Sequence, residues 1–362
     1  EGTMRVAMIV DLAESQASPG GVETAVTSLT RELALDPETD LFCISPSTKT
    51  AVREVDEGIG CPVIRVPMKA RGQILRDFRP WTSAVHSILD DLEPDIVHGQ
   101  GLLHNGAAAA AWGATPSVVT AHGSPLRDAD NYPGILPALV RPLLNRAVTR
   151  VEDHADMLIN VTSDWRVNLV KQPGMQIHIP NAVDAGFYTE DAPSVRPIVH
   201  FFGGRRAIKG GDLLFSAWRT VSSAMPDAEL RVYGYGDATG ALPDRTVAFP
   251  ALDRSAMLAV LRSGGIVVVP SRFEVSPMVV AEAWASMVPV VATAVGGVPA
   301  MAEGAAILCE PEPGPLAHAL LAALEDDATV DSAVMAGRTR AERYRPAAVA
   351  AAHLDTYRSL LR

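Results

Sequence analysis

A chain of 362 residues is long enough for two domains. Hydrophobic residues make up 48% and charged residues 20%, which fits a chain with a normal core and excludes a disordered polymer. The formal net charge of -11, from 31 Lys+Arg against 42 Asp+Glu, argues against nucleic acid as a partner, because neutralising phosphates calls for a basic excess. The three cysteines, Cys43, Cys61 and Cys309, are far apart and form no CxxC pair, so they read as buried thiols in a reducing cytoplasm. No apolar run reaches the ~20 residues that cross a bilayer, so no stable membrane insertion is expected.

Glu1-Gly2-Thr3 ahead of Met4 reads as a cloning remnant. The apolar run Val6 to Val10 that follows is too short for a signal peptide and reads as a first strand. Val22, Ala25, Val26, Leu29 and Leu33 then form an apolar stripe at helical spacing. Further strands are predicted at Leu41 to Ser45, Val63 to Val66, Ile96 to His98, Ser117 to Ala121, Met157 to Val161 and Ile177 to Ile179. The second half repeats the theme with Ile198 to Phe202, Leu230 to Tyr233, Ile266 to Val269 and Val290 to Thr293, separated by helices such as Leu213 to Ala224 and Met257 to Arg262. Repeated βα units imply parallel sheets covered by helices on both faces, because parallel connections need crossovers. The expected architecture is α/β, with two doubly wound Rossmann-like domains facing a cleft. Turn formers and charge mix between Asp184 and Pro197, which divides the chain into residues 4–184 and 185–346. A terminal helix over 347–361 has no strand after it and is expected to pack back on the first domain.

Three segments carry candidate chemistry. In Pro270-Ser271-Arg272-Phe273-Glu274-Val275-Ser276-Pro277-Met278-Val279 a buried strand gives way to a loop and then to a helix, with Ser276 as the expected N-cap and Pro277 first in the helix. The N-H groups of Met278 and Val279 are free to meet a phosphate there, and Glu282, further along, can accept from a ribose diol. In Gly203-Gly204-Arg205-Arg206-Ala207-Ile208-Lys209-Gly210-Gly211, glycines allow close backbone approach while Arg205 and Lys209 supply cations suited to a diphosphate. It does not spell a P-loop. Pro19-Gly20-Gly21-Val22-Glu23 meets a helix start, where Gly20 and Gly21 can touch phosphate or sugar through the backbone. Taken alone, the glutamate pair reads first as flanking an ordinary helix, whereas the basic segment reads equally as a solvated loop and the glycine segment equally as a tight turn.

In chain order these segments, with Ile179-Pro180-Asn181-Ala182-Val183-Asp184 and Leu230 to Asp237, resemble retaining glycosyltransferases of the GT-B fold, the large family four (glycosyl transferases group 1). The resemblance covers nearly the whole chain from Met4. It implies transfer of a hexose-type sugar from a nucleotide diphosphate sugar, with UDP favoured, to a hydroxyl of a small-molecule, glycan or lipid-linked acceptor with retention. By position, Glu274 matches the glutamate that contacts donor-sugar hydroxyls and Glu282 the one that holds ribose. Arg205 and Lys209 match the pair that neutralises the diphosphate, and His122 matches a histidine near the transferred sugar. The nucleotide sugar is a co-substrate, so no cofactor is implied.

Two positions depart from the family pattern. Pro277 stands where members often carry glycine, which removes one N-H, and Ala182 replaces the glycine of the Ile-Pro-Asn-Gly-Val-Asp motif. The Arg205 to Lys209 spacing is one residue short of many members, which brings Arg206 forward as a second phosphate ligand. Asp128-Ala129-Asp130 is a DxD but reads as a solvated loop, and no metal is expected. Acceptor residues are expected in the loops Lys69 to Arg79 and Leu102 to Asn105; Lys69, Arg71, Arg76 and Arg79 suit an anionic acceptor. The competing readings are a nucleotide-sugar epimerase of the same fold and a non-enzymatic sugar-binding protein.

Overall fold

The computed structural model describes residues 2–12, 20–47, 54–56, 59–68, 74–129, 136–172, 174–193, 197–236 and 242–362. They divide into two compact units. The first holds the N-terminal strand, Val22–Ala182 and Pro346–Arg362; the second holds Gly20, Gly21 and Val183–Arg345.

The first unit is built on β1 (Met4–Ile9), β2 (Thr39–Ser47), β3 (Glu54–Asp56), β4 (Val63–Pro67), β5 (Ile96–Gln100), β6 (Ser117–Ala121), β7 (Met157–Asn160) and β8 (Gln176–His178). Their order is β3-β4-β2-β1-β5-β6-β7-β8, parallel throughout except for β3 against β4. Side chains alternate across the sheet: Val6, Met8 and Val10 feed one core while Ala7 and Ile9 feed the other. The helix Pro346–Leu360 contributes Val349, Ala350, Leu354 and Tyr357 to the first of these cores, so the end of the chain is part of this unit.

The second unit carries β9 (Ile198–Phe201), β10 (Glu229–Tyr233), β11 (Thr246–Phe249), β12 (Ile266–Val269), β13 (Val290–Thr293) and β14 (Ile307–Cys309), in the order β11-β10-β9-β12-β13-β14. All five pairings are parallel. Ile266 and Val268 face one core and Val267 and Val269 the other. The three strands absent from the sequence reading, β3, β11 and β14, are all sheet edges. An edge strand buries less, so its signal is weaker; Val247 of β11 is 40% exposed. Cys43 and Cys61 are buried as expected, their Sγ atoms 3.7 Å apart, whereas Cys309 is only half-buried, on one of those edges.

Candidate functional site

In an open parallel sheet the ligand site lies past the strand C-termini where the strand order reverses. In the second unit that point falls between β9 and β12. After β9 the chain turns through Gly203 and Gly204, forms a 3-10 turn Ala207–Lys209, and enters the helix Gly211–Ala224 through Gly210. Gly210 adopts φ 70°, and a Cβ there would lie 1.9 Å from the carbonyl oxygen of Pro270. Only glycine lets the loops after β9 and β12 approach this closely.

Lys209 uses that approach. Its Nζ donates to Glu274 Oε1 at 2.7 Å, and the Ser271 hydroxyl donates to the same oxygen at 2.6 Å. Glu274 is 8% exposed, and among the described residues its Oε2 has no partner, so that oxygen can accept from a ligand hydroxyl. The backbone of Glu274 is held from behind: Gly297 N-H donates to the Glu274 carbonyl at 2.9 Å, and a Cβ on Gly296, at φ 55°, would lie 2.0 Å from that carbonyl oxygen. The sequence reading missed this glycine pair, whose signal is two adjacent glycines just past the buried strand β13. It also missed Arg272, which makes a two-pronged bond to Asp212 at 2.8 and 2.7 Å and donates to the Ala207 carbonyl at 2.8 Å. Arg272 thereby ties the β12 loop to the turn that carries Lys209, and it holds the Asp212 carboxyl below the usual range.

Arg205 is not part of this cluster. Its exposed guanidinium donates to the Tyr235 carbonyl at 3.0 Å and lies 5.4 Å over the Tyr235 ring; Arg206 is exposed beside it. The helix after Glu274 spans Met278–Ala285, so the expected cap is corrected by one residue. Pro277, with ψ 111°, is the N-cap, and Ser276 lies outside the helix, because the residue before a proline is pushed to extended conformations. Val280 N-H bonds to the Pro277 carbonyl at 3.0 Å, which leaves the first-turn N-H groups of Met278 and Val279 without a partner inside the helix. Glu282 is 7% exposed, and burial raises its carboxyl to about 7 against the opposing pull of the Arg254 guanidinium. Arg254 is itself ion-paired with Asp184 and lies 5.5 Å over the Phe187 ring.

In the first unit His122 follows β6. Its Nδ1 lies 2.8 Å from Asn181 Oδ1 and its Nε2 lies 2.6 Å from Gln100 Oε1. Burial lowers its pKa to about 4, so the ring is neutral near pH 7. A cavity of about 10 Å³ lined by His122, Gln100, Thr120, Asn181 and His353 is room for one water and not for a sugar. Ala182 adopts no left-handed φ, so replacing the motif glycine costs no backbone strain here. Gly21 opens the helix Gly21–Leu33, and both Gly20 and Gly21 group with the second unit.

The second acceptor stretch and the DxD need correction. Lys69 and Arg71 lie outside the described residues, whereas Arg76 ends a 3-10 turn and Arg79 begins a helix. Leu102 and Asn105 are buried, and His104 bonds to Asp11 at 3.0 Å, so the second stretch is not an open loop. Pro125–Ala129 is helical with Ala129 buried, since Pro125 is suited to a first helical position; Asp130 lies outside the described residues. Among the described residues no His, Cys, Asp or Glu group is arranged to hold a metal ion, and no helix is long and apolar enough to cross a membrane.

Two parallel α/β units of this topology define a GT-B glycosyltransferase fold. Residues 20–181 match the description "Glycosyl transferase 4-like domain" and residues 196–326 match "Glycosyl transferases group 1". The chain belongs to this glycosyltransferase family, family four of the GT-B fold. Curated relatives include D-inositol 3-phosphate glycosyltransferases. That of Mycolicibacterium smegmatis is 30% identical over 44% of this chain and 40% of its own length; that of Xylanimonas cellulosilytica is 27% identical over 73% and 71%. The match thus spans less than half the length of the first relative. Among solved structures, sucrose-phosphate synthase from Thermosynechococcus elongatus superposes with a TM-score of 0.79 at 19% identity, covering 99% of both chains. Anabaena Alr3699/HepE in complex with UDP gives 0.73 at 17%, covering 98% of this chain and 100% of that one.

Proposed function

We propose that the protein transfers a hexose-type sugar from a nucleotide diphosphate sugar, UDP-linked, to a hydroxyl of a phosphorylated polyol or sugar, with retention at the anomeric carbon. The observation that carries this reading is the Lys209-Glu274-Ser271 cluster, set among glycine turns and the N-H groups of Met278 and Val279. It combines a cation, a carboxylate with one unused oxygen and a helix start at one switch point, the set of groups a sugar diphosphate needs. As the bond between C1 and the β-phosphate oxygen breaks, negative charge gathers on the phosphate, where Lys209, Arg205 and the helix start stabilise it. The acceptor oxygen forms the new bond to C1 from the same face, and its proton passes to the departing phosphate. Glu274 holds the sugar hydroxyls, Glu282 the ribose, and His122 in the first unit contacts the transferred sugar, while Gly20 and Gly21 approach through backbone.

The phosphorylated acceptor is favoured by the names of the relatives, which act on inositol 3-phosphate, and by the sucrose-phosphate synthase neighbour. UDP is favoured by the neighbour solved with it. The test is thermal stabilisation of the protein by UDP and its loss in Glu282→Ala. An equal shift in the variant sinks the ribose role, and turnover of the donor with no acceptor present points to an epimerase instead.

A further inference from the structure

Behind His122 lies a chain of buried polar groups that the proposed function leaves unused. Gln100, at the end of β5, presents its two amide ends to different neighbours. Oε1 lies 2.6 Å from His122 Nε2, while Nε2 lies 3.7 Å from Met8 Sδ and 3.2 and 3.5 Å from the two ring nitrogens of His98. His98 is wedged between the Tyr357 hydroxyl at 2.6 Å and the Thr120 hydroxyl at 2.7 Å, so its ring plane is fixed from β6 and from the C-terminal helix. His353 stacks on the same ring at a centroid distance of 5.6 Å.

The two ends of Gln100 are not interchangeable. A thioether sulfur and an imidazole ring whose two nitrogens are already taken offer only electron-rich surface, which attracts N-H groups and repels a carbonyl oxygen. The NH2 end therefore belongs with Met8 and His98, and the carbonyl faces His122. A carbonyl can only accept, so the proton on the near nitrogen must come from His122. In a neutral ring the other nitrogen is then a bare lone pair. Nδ1 lies 2.8 Å from Asn181 Oδ1, and a bare Nδ1 calls for the Asn181 side-chain amide in the opposite sense, with its NH2 donating to the ring.

We infer that Gln100, oriented by Met8 and His98, is a positioning residue that fixes His122 as the Nε2-H tautomer, and that Tyr357 of the C-terminal helix supports it by locking the His98 ring. All these residues lie in the first unit. The effect on rate rests on the proposed transferase reading; the tautomer does not. Burial keeps His122 neutral near pH 7, so the tautomer question is well posed there.

The experiment is nitrogen-15 NMR of the imidazole rings of the full chain at pH 7, with assignment by His122→Gln. The parent is expected to show a protonated Nε2 and a bare Nδ1 on His122. Gln100→Leu removes the acceptor, and the proton moves to Nδ1, where Asn181 turns its oxygen to receive it. Gln100→Glu still presents an oxygen and keeps the proton on Nε2. In the transferase assay Gln100→Leu lowers kcat about tenfold or more with donor KM within about twofold, and Gln100→Glu recovers part of the loss. A parent ring protonated on Nδ1, or on both nitrogens, overturns the inference, as does an unchanged tautomer in Gln100→Leu. The parent spectrum decides even if a variant does not fold, and the tautomer result stands if no transferase activity is found.

Discussion

Glu282 puts stability and function in opposition, and that opposition is measurable. The carboxyl is 7% exposed, makes no hydrogen bond among the described residues, and is raised by burial to about 7 from its ordinary 4.5. A carboxyl raised in this way favours the fold below pH 4.5, where it is protonated in both states, and that advantage is lost as pH rises through 7. At 1.36 kcal/mol per pKa unit the loss amounts to about 3 kcal/mol by pH 8.5. Glu282→Gln keeps the shape and removes the charge, so the variant is expected to be about 3 kcal/mol more stable than the parent at pH 8.5 and less than about 1 kcal/mol more stable at pH 5. The assay is urea unfolding of both proteins at the two pH values. The same variant should bind UDP more weakly, because the proposed ribose acceptor has become an amide. A stability difference that does not change with pH, or a variant less stable at pH 8.5, refutes the view that Glu282 is a strained buried charge kept for binding.

Further outcomes follow from the same geometry. Lys209→Met leaves Glu274 without its cation and should lower kcat about 100-fold in a donor-turnover assay, the scale of losing one charge-stabilising group. Gly210→Ala places a Cβ 1.9 Å from the Pro270 carbonyl oxygen at φ 70° and should destabilise the second unit by about 2–4 kcal/mol in urea unfolding, abolishing UDP binding with it. His122, His200 and His353 are each lowered by burial to about 4. The unfolded chain binds protons first as pH falls below 6.5, so each should cost about 2 kcal/mol between pH 7 and pH 5, outweighing the gain from Glu282; stability measured across that range should fall.

The interior strands were legible in sequence because a strand buried on both faces reads as an apolar run, as in Ile266 to Val269. The edge strands β3, β11 and β14 were not: β3 is a three-residue strand with acidic ends, and β11 and β14 are only four and three residues long and do not stand out from loop sequence. Glu274 and Lys209 were visible as residue types beside glycines, but their ion pair depends on two loops meeting at Gly210, which no local pattern encodes. Arg272 and Gly296 were missed because their roles lie in long-range contacts, to Asp212 and to the Glu274 carbonyl. The helix start was misplaced by one residue because Pro277 serves as well before a helix as within its first turn. The buried array around His98 was invisible, since Tyr357 is 259 residues away in the chain.

The central claim, transfer from a nucleotide sugar with retention, is tested most directly by one measurement. The protein is incubated with UDP-glucose and an inositol phosphate or hexose phosphate, UDP release is followed, and the anomeric proton coupling of the product is read by NMR. The account predicts UDP release that depends on the acceptor and a product with the donor's own α configuration. A β-configured product contradicts retention, and failure of any nucleotide sugar to bind or turn over contradicts the transferase reading itself.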